Sequence, residues 1–502
     1  MKETMKRWIS MALLCAVLAT GLCLPASAAS FRDVPKGYWA EDAIVRCAEL
    51  GFFQGKSATE FGVGQPMSRG AFAVVLTRFF GWEQAENTAL PFTDVPADAW
   101  YGPALATALQ HGAVTTQSPA FRPNDPITRE ELAVALVRGL GYAPLSGMAQ
   151  QLDIPFTDVA TNKGYITMAL DLGLVNGTSE TTFSPEKTAT REQVAVILMR
   201  LHDKLRGTET ENVGLVRELK ALPDLSKLDV VILGHGELQG GSRPRVKGVH
   251  GGADVRTVRE ASNGGKVLLY VGGTAASLRE LDAAAAAAAI NLDRANGGYD
   301  GVFLDIRGLK TAEEGRALTE LTDALGGMLT GKLLYVTADA PCISGHSPEA
   351  YNYEVLGRLA DRVVLRVHSH MEEIQEMAVA PVEPLEEIYF ALQTLEKEMD
   401  LRKAALWLST DATVWDGTQQ VSSMTGLEVD ALLAQEGTES SYSQRYGCSY
   451  LTGKLKNQDV TVWYPDGRST QARAQLGRLF DANSVVLGGM DEMSPSLLEG
   501  LR

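Results

Sequence analysis

Cysteine is scarce here, five in 502 residues. Cys15 and Cys23 fall in the first 28 residues, and Cys47, Cys342 and Cys448 are far apart. That scatter excludes a disulfide framework and a cysteine metal site, and leaves three small apolar side chains for cores. Positive charge is also short. Lys and Arg number 46 against 62 Asp and Glu, for a net charge of −16. With no basic cluster to offset it, this excludes nucleic acid as a partner. Charged residues are 22% and hydrophobic ones 45%, so most of the chain should pack cores, and its length suggests several domains.

A charge-free run appears at the start. Lys2, Lys6 and Arg7 precede an uncharged stretch from Trp8 to Leu24, and Ala26-Ser27-Ala28 is an A-x-A site. This order reads as a signal peptide over 1–28, and its cleavage leaves no transmembrane anchor. Leu22 before Cys23 is too large for a lipidation site. The exported chain would carry a charge near −18, because residues 1–28 hold a net +2.

Three segments then repeat one pattern. They open at Phe31-Arg32-Asp33-Val34-Pro35, Phe92-Thr93-Asp94-Val95-Pro96 and Phe156-Thr157-Asp158-Val159. Each reaches an aromatic residue eight positions before an arginine: Phe61 and Arg69, Phe121 and Arg129, Phe183 and Arg191. Ser68, Thr128 and Thr190 precede those arginines and are helix N-cap types. Apolar residues then recur at helical spacing, as in Val194, Ile197 and Leu198. Each repeat is therefore a loop with two helices. One such unit of about 55 residues buries little core alone, so the three should pack together.

The F-x-D-V openings and the signatures Ser68-Arg69-Gly70-Ala71, Thr128-Arg129-Glu130-Glu131 and Thr190-Arg191-Glu192-Gln193 resemble the S-layer homology module over residues 31–203. The resemblance implies an all-α pseudo-trimer that binds secondary cell-wall polysaccharide, often through pyruvylated sugars. A pyruvate ketal presents a carboxylate. A guanidinium at a helix N-terminus meets it with a two-pronged fork beside the positive end of the dipole. Arg69, Arg129 and Arg191 are thus the expected ligand contacts. Trp39, Trp100 and Tyr165 either stack on sugar rings or fill core, and Asp33, Asp94 and Asp158 orient the loops.

Beyond residue 223 the pattern changes to short β-branched runs between helical runs, as βα units require. Seven strands are expected: 230–233, 267–271, 301–306, 333–337, 362–367, 405–408 and 484–487. A weaker eighth covers 245–249. Eight strands in about 280 residues suit a (β/α)8 TIM barrel, with a doubly wound sheet as the alternative. The expected boundaries are repeats at 29–86, 87–146 and 147–203, a linker at 204–223 with a short helix over 214–222, and the barrel at 224–502.

Tyr299-Asp300-Gly301-Val302-Phe303-Leu304-Asp305-Ile306-Arg307 resembles strand four of family-18 glycoside hydrolases, which carries D-G-x-D-x-D-x-E. Val267 to Gly273 resembles their third strand, Tyr351 to Leu365 the approach to strand six, and Val462 to Ser469 the segment before strand eight, especially in the spore and cell-wall branch. The motif is degenerate. Asp300 and Asp305 match, but Phe303 replaces the middle acid and Arg307 the proton-donating Glu. The Tyr-Asp pair of strand six falls on His368-Ser369, and Val485 to Gly489 offers no aromatic sugar floor. Arginine stays protonated at neutral pH and cannot act as a general acid. The expectation is a surface protein whose barrel is inactive and binds glycan or a surface partner, with Asp305 and Arg307 forming an ion pair. The alternative is an active hydrolase of N-acetylglucosamine-containing glycan using a relocated acid, such as Glu237, Asp339, Glu372 or Glu373. His368 and His370 lack an evident third ligand, so no metal and no cofactor is expected.

Overall fold

A Ser or Thr starts the second helix of each repeat, and the local chemistry shows why. Ser68 Oγ accepts from the Ala71 N–H at 3.3 Å. Thr128 and Glu131 exchange hydrogen bonds at 3.2 and 3.0 Å, a reciprocal cap, and Gln193 accepts from the Thr190 N–H at 3.1 Å. The helices are Glu41–Glu49 and Arg69–Phe80, Gly102–Gln110 and Arg129–Gly139, and Lys163–Asp171 and Arg191–Arg206. The computed structural model describes residues 31–501, apart from 87–88, 208, 221, 242, 344–348, 368–380, 418 and 456–457. The expected signal peptide lies outside the described residues.

Backbone pairing closes the repeats into a ring. Ser68 bridges Pro126, Thr128 bridges Thr188, and Pro66 bridges Thr190. The N–H groups of Arg69, Arg129 and Arg191 donate to the carbonyls of Asp125, Lys187 and Gln65 at 2.9, 2.9 and 3.0 Å. The repeat phenylalanines Phe61, Phe121 and Phe183 are buried beneath this ring. No single helix among the described residues is long and apolar enough to cross a membrane.

The chain divides into two compact units. One runs to Gly141 and includes Asp153–Leu201. The other comprises Tyr142–Leu152 and the residues from His202 onward. Tyr142–Leu152 therefore packs with the second unit rather than with the repeats expected at 87–146 and 147–203. There the Tyr142 hydroxyl accepts from Gln475 Nε2 at 3.2 Å.

The second unit begins with strands β1 (Glu211–Val216), β2 (Val230–Gln239), β3 (Arg245–Lys247), β4 (Lys266–Thr274) and β5 (Gly301–Arg307). It continues with β6 (Leu333–Asp339), β7 (Arg362–Arg366), β8 (Ala404–Leu408), β9 (Ala412–Asp416) and β10 (Gln419–Met424). The last strands are β11 (Ser440–Ser443), β12 (Cys448–Leu455), β13 (Gln458–Tyr464) and β14 (Ser484–Leu487). Eight of them, β1-β2-β4-β5-β6-β7-β8-β14, pair in parallel, and β14 returns to β1. This closed ring is a TIM barrel. Its interior is filled by Val213, Ile232, Leu268, Phe303, Tyr335 and Trp407, among others.

Three expectations need correction. The segment 204–223 is not a linker with a helix over 214–222, because it contains the barrel's first strand. Gly214 lies within that strand, and a Cβ there would collide with the Met490 sulfur and lie 2.7 Å from Leu228 Cδ1. The barrel therefore starts before residue 224. The weak strand at 245–249 does not join the barrel either. Arg245–Lys247 folds back antiparallel on the end of β2. The count of eight was right, but β1 supplies the missing member.

One element was not foreseen. Between β8 and β14 the chain inserts a five-stranded antiparallel sheet, ordered β10-β9-β13-β12-β11. It has its own core of Val414, Val429, Leu451 and Val462. Cys47 and Cys448 are buried and Cys342 half-buried, all as free thiols.

Candidate functional site

Each helix-start arginine reaches into the loop of the next repeat around the ring. Arg69 Nε donates to the Phe121 carbonyl at 2.7 Å, Arg129 Nε to Phe183 at 2.9 Å, and Arg191 Nε to Phe61 at 2.8 Å. Each guanidinium carbon also sits over the ring of the same phenylalanine, at 4.9, 4.6 and 4.9 Å. These arginines therefore join the repeats, a role that the sequence did not reveal. Some N–H groups have further partners. Arg69 Nη1 pairs with Glu131, Arg129 Nη2 donates to the Asn176 carbonyl at 2.5 Å, and Arg191 Nη2 donates to Gln54 at 2.8 Å.

The aspartates of the F-x-D-V openings lie beneath the aromatic loops. Asp33 accepts from the N–H groups of Phe61, Gly62 and Val63 at 2.6–3.0 Å. Asp94 accepts from Phe121 and Arg122, and Asp158 from Phe183 and Ser184, at 2.7–2.8 Å. The Phe183 N–H is the main reason that the Asp158 carboxyl sits below the usual carboxylate range. Trp39 and Trp100 are 60% and 69% exposed, so neither fills core. Tyr165 is half-buried with the Arg138 guanidinium 5.0 Å over its ring.

In the barrel, function is expected at the C-terminal ends of the strands. Asp305 lies there on β5 and is fully buried. Arg366 Nη2 donates to both of its oxygens at 2.8 Å. Arg307 donates through Nε and Nη2 at 3.0 and 2.9 Å. The Tyr270 hydroxyl donates at 2.7 Å and Thr337 Oγ1 at 3.0 Å. Burial opposes the Asp305 charge, but Arg366 and then Arg307 outweigh it, and the carboxyl stays below its ordinary value. Burial, then the Asp305 charge, pushes the Tyr270 hydroxyl up to about 12. Phe303 is buried, its ring stacked 5.9 Å from Tyr270. Trp407 on β8 lies below, with Arg366 4.2 Å over its ring. Sequence reasoning sought an aromatic on the last strand and missed this one on the strand before it.

Asp300 is elsewhere. It lies just before β5, accepting from the Val267 N–H at 3.0 Å and from Arg259 Nη2 at 2.7 Å. It ties the starts of two strands together and takes no part in the mouth of the barrel. Among the other acids considered, Glu237 is exposed on β2 opposite Lys247. The Asp339 carboxylate accepts from the Tyr351 hydroxyl at 3.3 Å. Glu372, Glu373, His368, Ser369 and His370 lie outside the described residues. No cluster of three metal-ligating side chains occurs among the described residues.

A cavity of about 570 Å³ opens beside the ends of β1, β2, β8 and β14, lined by Arg217, His235, Asp411 and Asp491 among others. Asp411 was not anticipated. Its surface is exposed, yet crowding by the surrounding chain raises its carboxyl pKa, with Glu492 and Glu428 adding to this against Arg217.

Comparison with known proteins matches the repeats and the barrel separately. The S-layer homology domain family matches residues 30–73, 91–133 and 155–195. The chain carries three S-layer homology domains. It is 30% identical over 226 residues to the surface-layer 125 kDa protein of Lysinibacillus sphaericus, covering 43% of this chain and 17% of that protein. It is 31% identical over 200 residues to an endoglucanase of Bacillus sp. (strain KSM-635), covering 36% of this chain and 20% of that protein. The chain thus spans a fifth or less of these relatives' length. The S-layer homology domains make it a secreted protein of the cell wall or surface layer. The barrel unit is similar to the chitinase of Chromobacterium violaceum, with a TM-score of 0.52 at 13% identity, covering 58% of this chain and 98% of that one. It is also similar to the spore cortex-lytic enzyme SleL of Bacillus megaterium, with a TM-score of 0.50 at 15% identity, covering 58% of this chain and 74% of that one. These likenesses establish a chitinase-like barrel fold.

Proposed function

We propose that the S-layer homology domains hold this chain on wall polysaccharide, and that the barrel presents a glycan-binding or partner-binding surface without cleaving glycan. The helix-start arginines and the exposed Trp39 and Trp100 support the first part. A guanidinium fork receives a sugar carboxylate such as a pyruvate ketal, and an indole face stacks on the ring. The observation that carries the second part is the burial of Asp305 under Arg307 and Arg366. The side chain at the proton-donor position is a permanent cation committed to a neighbouring carboxylate, so it supplies no proton to a leaving oxygen. Loss of a general acid alone costs about 10²–10⁴-fold in rate. The acid at 303 is replaced by a core phenylalanine as well.

One observation favours a second reading, an active wall-glycan hydrolase. Asp411 combines a raised pKa with a place at the mouth cavity, as a relocated acid would need.

Sedimentation with isolated cell walls tests the anchoring. The wild-type chain should pellet with the walls. Arg69, Arg129 and Arg191 all changed to Ala should stay in the supernatant. So should the Trp39→Ala, Trp100→Ala pair, which leaves the repeat-joining arginines intact. Retention of both variants would refute the anchoring site.

A further inference from the structure

Strand β14 runs into two glycines, and the space that they leave is used. A Cβ on Gly488 would lie 2.6 Å from the ring of Trp407, which belongs to the neighbouring strand β8 and fills the barrel interior with Phe303. A Cβ on Gly489 would lie 2.7 Å from Arg217 Nη1. Arg217 Nη2 donates to the Gly488 carbonyl at 3.2 Å, so the guanidinium rests on the bare backbone of this turn. The open space at the strand ends lies to one side, in the cavity of about 570 Å³ at β1, β2, β8 and β14. That is an ordinary volume for a small-molecule site.

Strand order sets charges of both signs around that space. Arg217 follows β1 and Asp411 follows β8, and both strands pair with β14. Two strand spacings, about 9–10 Å, separate them. Arg217 and the exposed Lys220 line the cavity with Asp411 and Glu492, and no ion pair engages any of the four among the described residues. The Asp411 carboxylate accepts no hydrogen bond among those residues either, whereas Asp491 is taken by the N–H groups of Arg217 and Glu218 at 3.1 and 2.7 Å. Crowding by the surrounding chain raises the Asp411 pKa, Arg217 lowers it only in part, and Glu492 and Glu428 add to the rise. That is the condition of a carboxylate short of a cation. A purely anionic ligand would meet these acids, and a purely cationic one would meet Arg217 and Lys220.

We infer that this cavity binds a zwitterion, the free α-amino acid head of a wall-peptide side chain, with Arg217 taking its carboxylate and Asp411 its ammonium group. Arg217 Nη1, beside Gly489, makes no hydrogen bond among the described residues and is open to a carboxylate oxygen. The cavity has room beyond such a head for the aliphatic chain that carries it. The inference rests on the reading of the barrel as a binding unit and names its ligand.

Titration calorimetry of the full chain would use meso-diaminopimelic acid as probe, an aliphatic chain with an α-amino acid head at each end. Pimelic acid is the same chain without the ammonium groups, and 1,5-diaminopentane is the same chain without the carboxylates. Each should bind more weakly than the probe by about tenfold or more, the scale of one lost hydrogen bond to a charged group. Asp411→Asn should weaken the probe to the same degree with an unchanged Tm, since the Asp411 side chain holds nothing in the fold. Gly489→Ala should weaken it too, because the new methyl displaces the end of Arg217. Equal binding of either control, or full affinity in Asp411→Asn, would overturn the assignment. A chain that binds chitooligosaccharides but not the probe would overturn it and leave the glycan-binding reading in place. Glycan cleavage that is lost in Asp411→Ala would overturn both.

Discussion

At residue 307 an arginine stands where the glycoside-hydrolase motif that β5 resembles has a glutamate, and Asp305 meets its charge. Asp305 carries full negative charge in a site closed to water, and Arg366 and Arg307 together offset it. The Arg366 cation in turn rests on Trp407. Removing the carboxylate leaves two cations facing each other. Asp305→Asn should therefore destabilise the barrel unit by about 3–5 kcal/mol in chemical denaturation, the usual cost of breaking a buried pair from one side. The pH dependence follows from the sign of the shift. The folded carboxyl is depressed below its unfolded value of about 3.9, so its contribution is complete above that pH and is lost as pH falls below it. Below about pH 4 the wild type should lose stability more steeply than Asp305→Asn. Equal slopes would mean that the carboxylate is not held as described. Much of this site was legible in the sequence, since Asp305 and Arg307 are two apart on one strand and face the same way. Arg366 was not legible, because its approach depends on the pairing of β6 with β7.

At the scale of elements, the repeats were legible because the same offset of aromatic to arginine occurs three times. β1 was hidden. It follows a charged stretch, carries Gly214 at its centre and shows no alternation, since nearly all of it is buried. The inserted sheet was hidden for the opposite reason. β10 reads Gln-Gln-Val-Ser-Ser-Met and β11 Ser-Ser-Tyr-Ser, with no apolar run to mark a strand. Gly214 gives the test for β1. Gly214→Val inserts a branched side chain against Met490 and Leu228, and overpacking of this kind costs about 1–3 kcal/mol. Differential scanning calorimetry of the whole chain should show a lower Tm for the barrel transition. An unchanged Tm would return this segment to the status of a linker.

For the whole molecule, acidity and export fit a chain that works outside the cell, and its two units divide the work. One carries the three S-layer homology domains, joined by their helix-start arginines. The other has a chitinase-like barrel fold with the Asp305–Arg307 ion pair at the strand ends. The chain shares only part of its relatives' length, so its activity must be measured on this chain itself. The most direct measurement is an end-point digestion. The exported chain would be incubated with chitooligosaccharides and with peptidoglycan, and the products read by mass spectrometry. No new fragments after long incubation is the result expected here. Fragments that persist in Asp305→Ala and disappear in Asp411→Ala would contradict the account and make the barrel an enzyme with a relocated acid.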